Sequence, residues 1–247
     1  MIKIVTVFFF IAFFYCQKNI IVLTDSSSLS AFEREFLTNV LELYKKKHPN
    51  EYTFEFQNVD GHWSNLFEEF DNRSKANDYL CAIMRITITD ERKQRYSFSW
   101  RYLPNRLIIA SRKPYTTKFS LNNLTIIAFA KGSFHQKVVE SLASEYGIKT
   151  FEYKSFTELE ANNIHFFIDD KLTNLIEINY GHVLDLPDHF ASEFGIMFAK
   201  NSKFKNDINP YIDHYLKTSR YYRLLEKHFN TESVNFIKEY NRQELAR

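Results

Sequence analysis

From residue 19 onward, short β-branched runs alternate with apolar stripes at helical spacing, and this alternation limits the fold more than any other feature of the chain. Asn19 to Leu23 (NIIVL) is a β-branched run that reads as a strand. Ala31 to Lys47 carries Phe32, Phe36, Val40, Leu41 and Tyr44 at helical spacing and ends in three lysines. Tyr52 to Phe56 alternates as a second strand. Strand, loop, helix and strand in that order predict a parallel pair joined by a right-handed crossover. Solutes meet such sheets outside the carboxyl ends of the strands. That puts the loop Ser26-Ser27-Ser28 at a candidate cleft, though a run of serines is equally a solvated turn.

The pattern continues. Strands are predicted in the apolar run Tyr79 to Met84, then at Leu107 to Ser111, Asn123 to Ala130, Phe151 to Tyr153, Ile164 to Asp170 and Phe194 to Lys200. Val183 to Leu186 is extended and is stopped by Pro187. Between them lie a stripe of Trp63, Leu66, Phe67 and Phe70, a helix over Val138 to Tyr146 capped by Gly147, and a helix over Phe156 to Asn162. Ser155 and Glu158 have the spacing of a capping box. Lys171 to Asn179 is a short helix, and Lys205 to Thr218 and Arg220 to Phe229 are longer ones. The tail, residues 230–247, is charged and partly helical. The class is α/β.

Several chemistries are excluded or disfavoured. A net charge of +2 gives no general attraction for nucleic acid. With 5 glycines there is no glycine-rich phosphate loop. The 8 histidines form no metal-binding spacing, and no G-x-S-x-G elbow is present. No catalytic residue, cofactor or metal is expected, so the chain is not read as an enzyme. The start of the chain, Lys3 followed by the apolar stretch Ile4 to Tyr15, has the form of an export signal too short to span a bilayer. Cys16 ends that stretch, where a lipoprotein carries its acylated cysteine, although no small residue precedes it. Cys81, in an apolar run, is expected to be a buried, inert thiol.

The segment Ile83 to Tyr102, IMRITITDERKQRYSFSWRY, is where a binding site is expected. Thr89 suits the N-cap of a short helix, and Asp90 and Glu91 fall where the helix dipole favours negative charge. Arg92 follows at once. Its planar fork can hold a carboxylate through two parallel hydrogen bonds, with Thr87 donating a third. Taken alone, Arg92 could equally be a surface guanidinium paired with a nearby acid.

ITITDER followed by YSFSWRY resembles the bacterial solute-binding proteins of family 3, exported receptors for polar amino acids and related small solutes. The likeness runs from about Trp63 to Phe229. It includes the strand–loop–helix with Gly132 and Ser133, the strand ending in Asp169 and Asp170, and the return strand Phe194 to Lys200. It implies a periplasmic-binding-protein-like fold: two lobes, each a mixed, mostly parallel sheet flanked by helices, with a cleft between them. Residues 1–16 would be the signal, 19–112 plus 194–229 the first lobe, 113–193 the second, and 230–247 an extra tail. The first crossing between lobes would fall at Arg112-Lys113-Pro114. The resemblance also implies ligand-binding roles. Arg92 and Thr87 would hold a carboxylate, Gly132 and Ser133 would add donors from the second lobe, Asp170 would pair with a ligand ammonium, and Trp63 would stack on the ligand body.

The first strand and helix lack the family's Pro-Pro-Phe loop and Gly-Phe-Asp helix start, which leaves the ligand's identity open. Arg85, two residues before Thr87, would add positive charge to the cleft if it points inward. The implied function is capture of a small amino-acid-like or carboxylate ligand by hinge closure, for an ABC-type importer with its membrane permease. Alternatives are a stand-alone sensor or accessory lipoprotein that binds cell-wall fragments, and a surface module that binds nothing.

Overall fold

The computed structural model describes residues 18–245 except 28, 60–62, 114–119, 179–181 and 191. The expected export signal and Cys16 lie outside the described residues. Two five-stranded sheets share the chain. The first has the order β2 (Tyr52–Asn58), β1 (Lys18–Thr24), β3 (Leu80–Ala82), β10 (Ser192–Ala199) and β4 (Tyr96–Asn105). The second has the order β7 (Lys149–Tyr153), β6 (Ile126–Ala130), β8 (Phe166–Asp170), β5 (Leu107–Ser111) and β9 (Val183–Asp185). In each, the first three strands run parallel and the next pairs antiparallel on both of its edges. This is the α/β, two-lobed, periplasmic-binding-protein-like fold expected from the sequence.

One boundary is corrected. Leu107–Ser111 was expected in the first lobe, but it pairs with β8 and β9 in the second sheet, so the chain leaves the first sheet at Arg106, not at Arg112. All five of its residues are buried, as a central strand requires. The sequence carries no glycine or polar run at Arg106 to mark the crossing. The chain returns between Asp185 and Ser192.

Helix α1 (Ser30–Lys47) buries Phe32, Phe36, Val40, Leu41 and Tyr44, the predicted stripe. It packs beside α7 (Lys203–Leu216) and α8 (Ser219–His228) over one face of the first sheet. Phe36 is the hub. Its ring lies 5.6 Å from Tyr102, 5.6 Å from Tyr215 and 6.1 Å from Tyr221. Helix α2 (Trp63–Ser74) covers the other face with Leu66 and Phe70. Cys81 is buried on the α1 face, and burial pushes its thiol far above the usual range, as expected of an inert cysteine.

In the second lobe, Leu107 and Ile109 point to one core with α4 (His135–Tyr146), and Ile108 and Ala110 point to another with α5 (Phe156–Ala161). Gly147 ends α4 in the left-handed region at φ +68°, its N–H donating to Ala143, as predicted. Ser155 stands at the α5 N-cap, but its hydroxyl engages Thr157 and Glu158 accepts from Lys154 N–H, so the reciprocal capping box does not form. The short helix expected over Lys171 to Asn179 is one turn, α6 (Lys171–Thr173), continued by a π-helical turn over Asn174–Ile178.

The tail forms α9 (Thr231–Leu245), which lies against β4 and reaches the π-helical turn Asn174–Ile178. Asn230 Nδ2 donates to Leu175 O at 2.8 Å, and the Arg101 and Arg106 guanidinium groups lie 5.3 and 5.9 Å from the Tyr240 ring. The tail is thus a strap beside the crossing.

Two outcomes follow from the first core. Phe36→Ala removes a ring that is 0% exposed and should cost about 3–5 kcal/mol in urea denaturation. Glu33 is also fully buried and accepts from Tyr102 Oη and, at 2.8 Å, from Arg85 N–H. Burial pushes its carboxyl up to about 7, against the hydrogen bond from Tyr102. Below the unfolded value near 4.5 both states hold the proton. Between 4.5 and 7 only the folded state does, so stability falls as pH rises through this window. Glu33→Gln should remove a fall of about 3 kcal/mol between pH 4.5 and 8, read as a narrowing gap between wild type and variant.

Candidate functional site

Arg92 sits in α3 (Asp90–Arg95), a helix of one and a half turns begun by an N-cap that the sequence predicted. Thr89 is extended at φ −127°, and its hydroxyl accepts from Arg92 N–H at 3.1 Å. The segment before it is pinned to β10. Ile88 N–H donates to Glu193 O at 2.9 Å, and Gly195 N–H donates to Ile86 O at 3.0 Å. A side chain at Gly195 would put its Cβ 2.7 Å from Ile88 Cδ1, so a larger residue would have to displace the Ile88 side chain.

The Arg92 side chain is held from two sides. Nη1 donates to Thr87 O at 2.8 Å, and the guanidinium lies 4.9 Å from the centre of the Phe67 ring. Burial lowers its pKa to about 10, opposed by Glu91, Asp170 and Tyr96, so it stays charged at neutral pH. Among the described residues no carboxylate forms an ion pair with it. Its neighbour Glu91 is taken by Lys137 of α4.

A cavity of about 330 Å³ opens in front of Arg92. Phe67, Thr89 and Arg92 line it from the first lobe, and Gly132, Ser133 and Phe134 from the second. The Glu91–Lys137 pair joins the two lobes beside it. Larger cavities of about 510 and 620 Å³ lie around Trp100, lined by first-lobe residues together with Glu193 and Asn241, without the second sheet. The inter-lobe cavity combines a charged group, Arg92, with residues from both lobes.

Gly132 adopts φ +72°, the left-handed turn between β6 and α4. Ser133 donates both its N–H, at 3.2 Å, and its hydroxyl, at 2.7 Å, to Ala130 O. Both Ser133 donors are thus engaged within the turn, and the N-terminus of α4 adjoins it. A helix start is positive in potential and complements an anion.

Behind this cavity lies a group of acids and bases. Asp170 ends β8 and accepts from Asn105 Nδ2, with His135 Nε2 at 3.4 Å. Both ionic partners are largely buried, at 14% and 16% exposure. Asn105 is fully buried, donates also to Ser192 Oγ at 2.8 Å and accepts from Leu172 N–H at 3.2 Å. It therefore ties both crossing strands to β8 and α6. Asp169 accepts from Asp170 N–H at 2.8 Å, and burial together with Asp170 pushes its carboxyl up to about 7. Burial works against a charge on His135, but the attraction and hydrogen bond of Asp170 outweigh it, and the imidazole titrates above its usual value. Arg85, in the left-handed region at φ +52°, has Nη2 3.4 Å from Asp25 Oδ2 and acts on the charge of Asp169.

Of the residues singled out in the sequence, Arg92, Gly132 and Ser133 meet in one cavity. Thr87 is buried and reaches Arg92 through its carbonyl, while Thr89 is the threonine that lines the cavity. Asp170 is near enough to act on the charge of Arg92. Trp63 opens α2, and its side chain is outside the described residues. Phe67, Phe134, His135 and Asn105 were not assigned site roles from the sequence. Phe67 had a signal, one turn beyond Trp63 on the same helix. Asn105 had none. Among the described residues no cluster suits a metal, and no helix is long and apolar enough to cross a membrane.

The sequence pattern of the bacterial extracellular solute-binding proteins, family 3, matches residues 36–231. No curated protein matches. Among solved structures, one concerning glutathione import through GshT and the cystine ABC importer TcyBC of Streptococcus mutans superposes with a TM-score of 0.69 at 17% identity, covering 86% of this chain and 95% of that one. The glutamate-bound ligand-binding core of GluR0 from Nostoc punctiforme gives 0.62 at 19%, covering 85% and 99%. A periplasmic binding protein of Salmonella typhimurium with high arginine specificity gives 0.61 at 20%, covering 86% and 100%. At these identities the likeness establishes the fold. With the family pattern spanning both sheets and the cavity between them, this chain belongs to the bacterial extracellular solute-binding proteins of family 3, and is a binding protein, not an enzyme.

Proposed function

We propose that this protein captures a small amino-acid-like or carboxylate solute between its lobes and hands it to a membrane permease of the ABC type. The observation that carries the reading is Arg92. Its guanidinium is partly withdrawn from water, oriented by the Thr87 carbonyl and the Phe67 ring, and faces a cavity with no ion-paired carboxylate among the described residues. A ligand carboxylate would complete it through charge-assisted hydrogen bonds. The turn at Gly132 and Ser133 and the start of α4 would meet the same carboxylate from the second lobe. Asp170 would face the ligand's other end, and Trp63 would lie along its body. Relatives in fold that carry glutamate, favour arginine or serve a cystine ABC importer support the amino-acid-like class and the importer.

Capture would work through the hinge. The cavity is shared by both lobes, so closing them improves contacts made to the ligand from each side, and binding favours the closed form by that difference. An export signal at residues 1–16, with Cys16 acylated, would hold the protein at the outer face of a membrane beside its permease.

Thermal and urea stability measured against amino acids and small carboxylates tests this reading. A ligand at 100 times its dissociation constant should add about 2.7 kcal/mol. Arg92→Ala should abolish that gain while the unliganded protein still unfolds cooperatively, weakened by about 1–2 kcal/mol for the lost carbonyl and ring contacts. A variant that keeps the full ligand-induced gain would refute the assignment.

A further inference from the structure

We infer that the groove beside Trp100, at the edge of the first sheet, binds a neutral oligosaccharide whose pyranose rings stack on the indole. This site is separate from the cavity at Arg92 and does not depend on the reading of that cavity.

Trp100 is the most exposed of the large apolar side chains among the described residues, at 62%. It lies on β4, the edge strand of the first sheet, and lines two cavities of about 510 and 620 Å³. Asp213 and Lys217 line both cavities with it, so the two form one groove between β4 and α7. Asn206 and Asn209 line one end, and Tyr222 and Asn241 line the other. Each half has the size of a small-molecule site.

An extended peptide added as a further strand does not fit here, because the edge is already taken. Trp100 N–H donates to Asn209 Oδ1 at 3.3 Å, and the Tyr102 carbonyl accepts from Tyr221 Oη at 2.7 Å. Pro104 has no N–H to offer. What the groove offers is side-chain chemistry. Its charges cancel in pairs: Arg101 with Glu193, and Lys217 Nζ 2.7 Å from Asp213 Oδ2. It therefore has no net attraction for an anion or a cation. The asparagine amides both donate and accept hydrogen bonds, as sugar hydroxyls do. One aromatic face among amides and paired charges is unlike the core of a protein interface, which is depleted of charge. It does match a pyranose, which has C–H bonds on its faces and hydroxyls around its rim. Rings of gluco configuration in β linkage present C–H bonds on both faces, so that class suits the indole. Two cavities that share one indole call for a chain of at least two rings.

The test uses the full chain with Trp63→Phe, which leaves Trp100 as the remaining one of the 2 tryptophans. Cellotetraose and N-acetylchitotetraose are titrated while Trp100 emission is followed, with calorimetry in parallel on the wild type. Both should bind saturably and move the emission to the blue. Glucose should bind at least tenfold more weakly than cellotetraose. The C6-oxidised, anionic form of cellotetraose and the de-acetylated, cationic form of chitotetraose should each bind at least fivefold more weakly than their neutral parents. Trp100→Ala removes no bond of the edge strand and should weaken calorimetric binding at least tenfold while unfolding in urea stays cooperative. Absence of binding by either tetrasaccharide to the wild type would overturn the inference. So would binding that leaves Trp100 emission and the Trp100→Ala affinity unchanged. Tighter binding of a charged form would overturn the neutral class. A dimer in sedimentation that Trp100→Ala dissociates would overturn the inference in favour of a second copy of this chain. None of these outcomes bears on the Arg92 clamp.

Discussion

A guanidinium partly removed from water, with no ion-paired carboxylate among the described residues, is a costly feature for a fold to keep. Arg92 is kept in that state by several independent contacts. The Thr89 cap fixes its backbone, the Thr87 carbonyl fixes its fork, and the Phe67 ring supports its face. The stem of this arrangement is pinned to β10 at Gly195, where a Cβ would crowd the Ile88 side chain. None of these contacts neutralises the charge. The fold thus holds one positive group in readiness at the boundary of its two halves, and the local structure around it is organised to orient that group without satisfying it.

The boundary itself is built from polar contacts. Asn105, fully buried, links the end of β4, the start of β10, the end of β8 and the α6 turn. Both amide hydrogens and the oxygen of Asn105 are engaged, which helps to fix the path of the crossing. Outside it, α9 straps the first lobe to the segment after β8 through Asn230, Tyr240 and Arg106. The crossing between the lobes is thus short and tied on both of its strands. The Glu91–Lys137 pair spans the lobes next to the cavity, and as an exposed pair it adds little to stability.

Much of this was legible in the sequence, and the reasons are local ones. Strands and helices were readable because β-branched runs and helical stripes such as Phe32, Phe36, Val40 and Tyr44 are dictated by burial on one face. The cap at Thr89 and the turn at Gly147 were readable because each rests on one residue's backbone preference. Arg92 stood out because a cap, two acids and a guanidinium fall in consecutive positions. What was not readable depends on long-range pairing. Leu107–Ser111 looks the same whether it joins the first sheet or the second, and only its partners β8 and β9 decide. Asn105 and His135 gain their meaning from Asp170, 65 and 35 residues away. Arg85 announced a charge near the cleft, but not that Asp25 would meet it.

The account stands on the claim that Arg92 is the receiver of a negative charge. A crystal structure of the protein with its tightest-binding small acid measures this directly. The carboxylate is expected about 2.8 Å from the Arg92 nitrogens, with the turn at Gly132 and Ser133 closed over it. A ligand held elsewhere, with Arg92 still facing an empty cavity or turned to solvent, would contradict it.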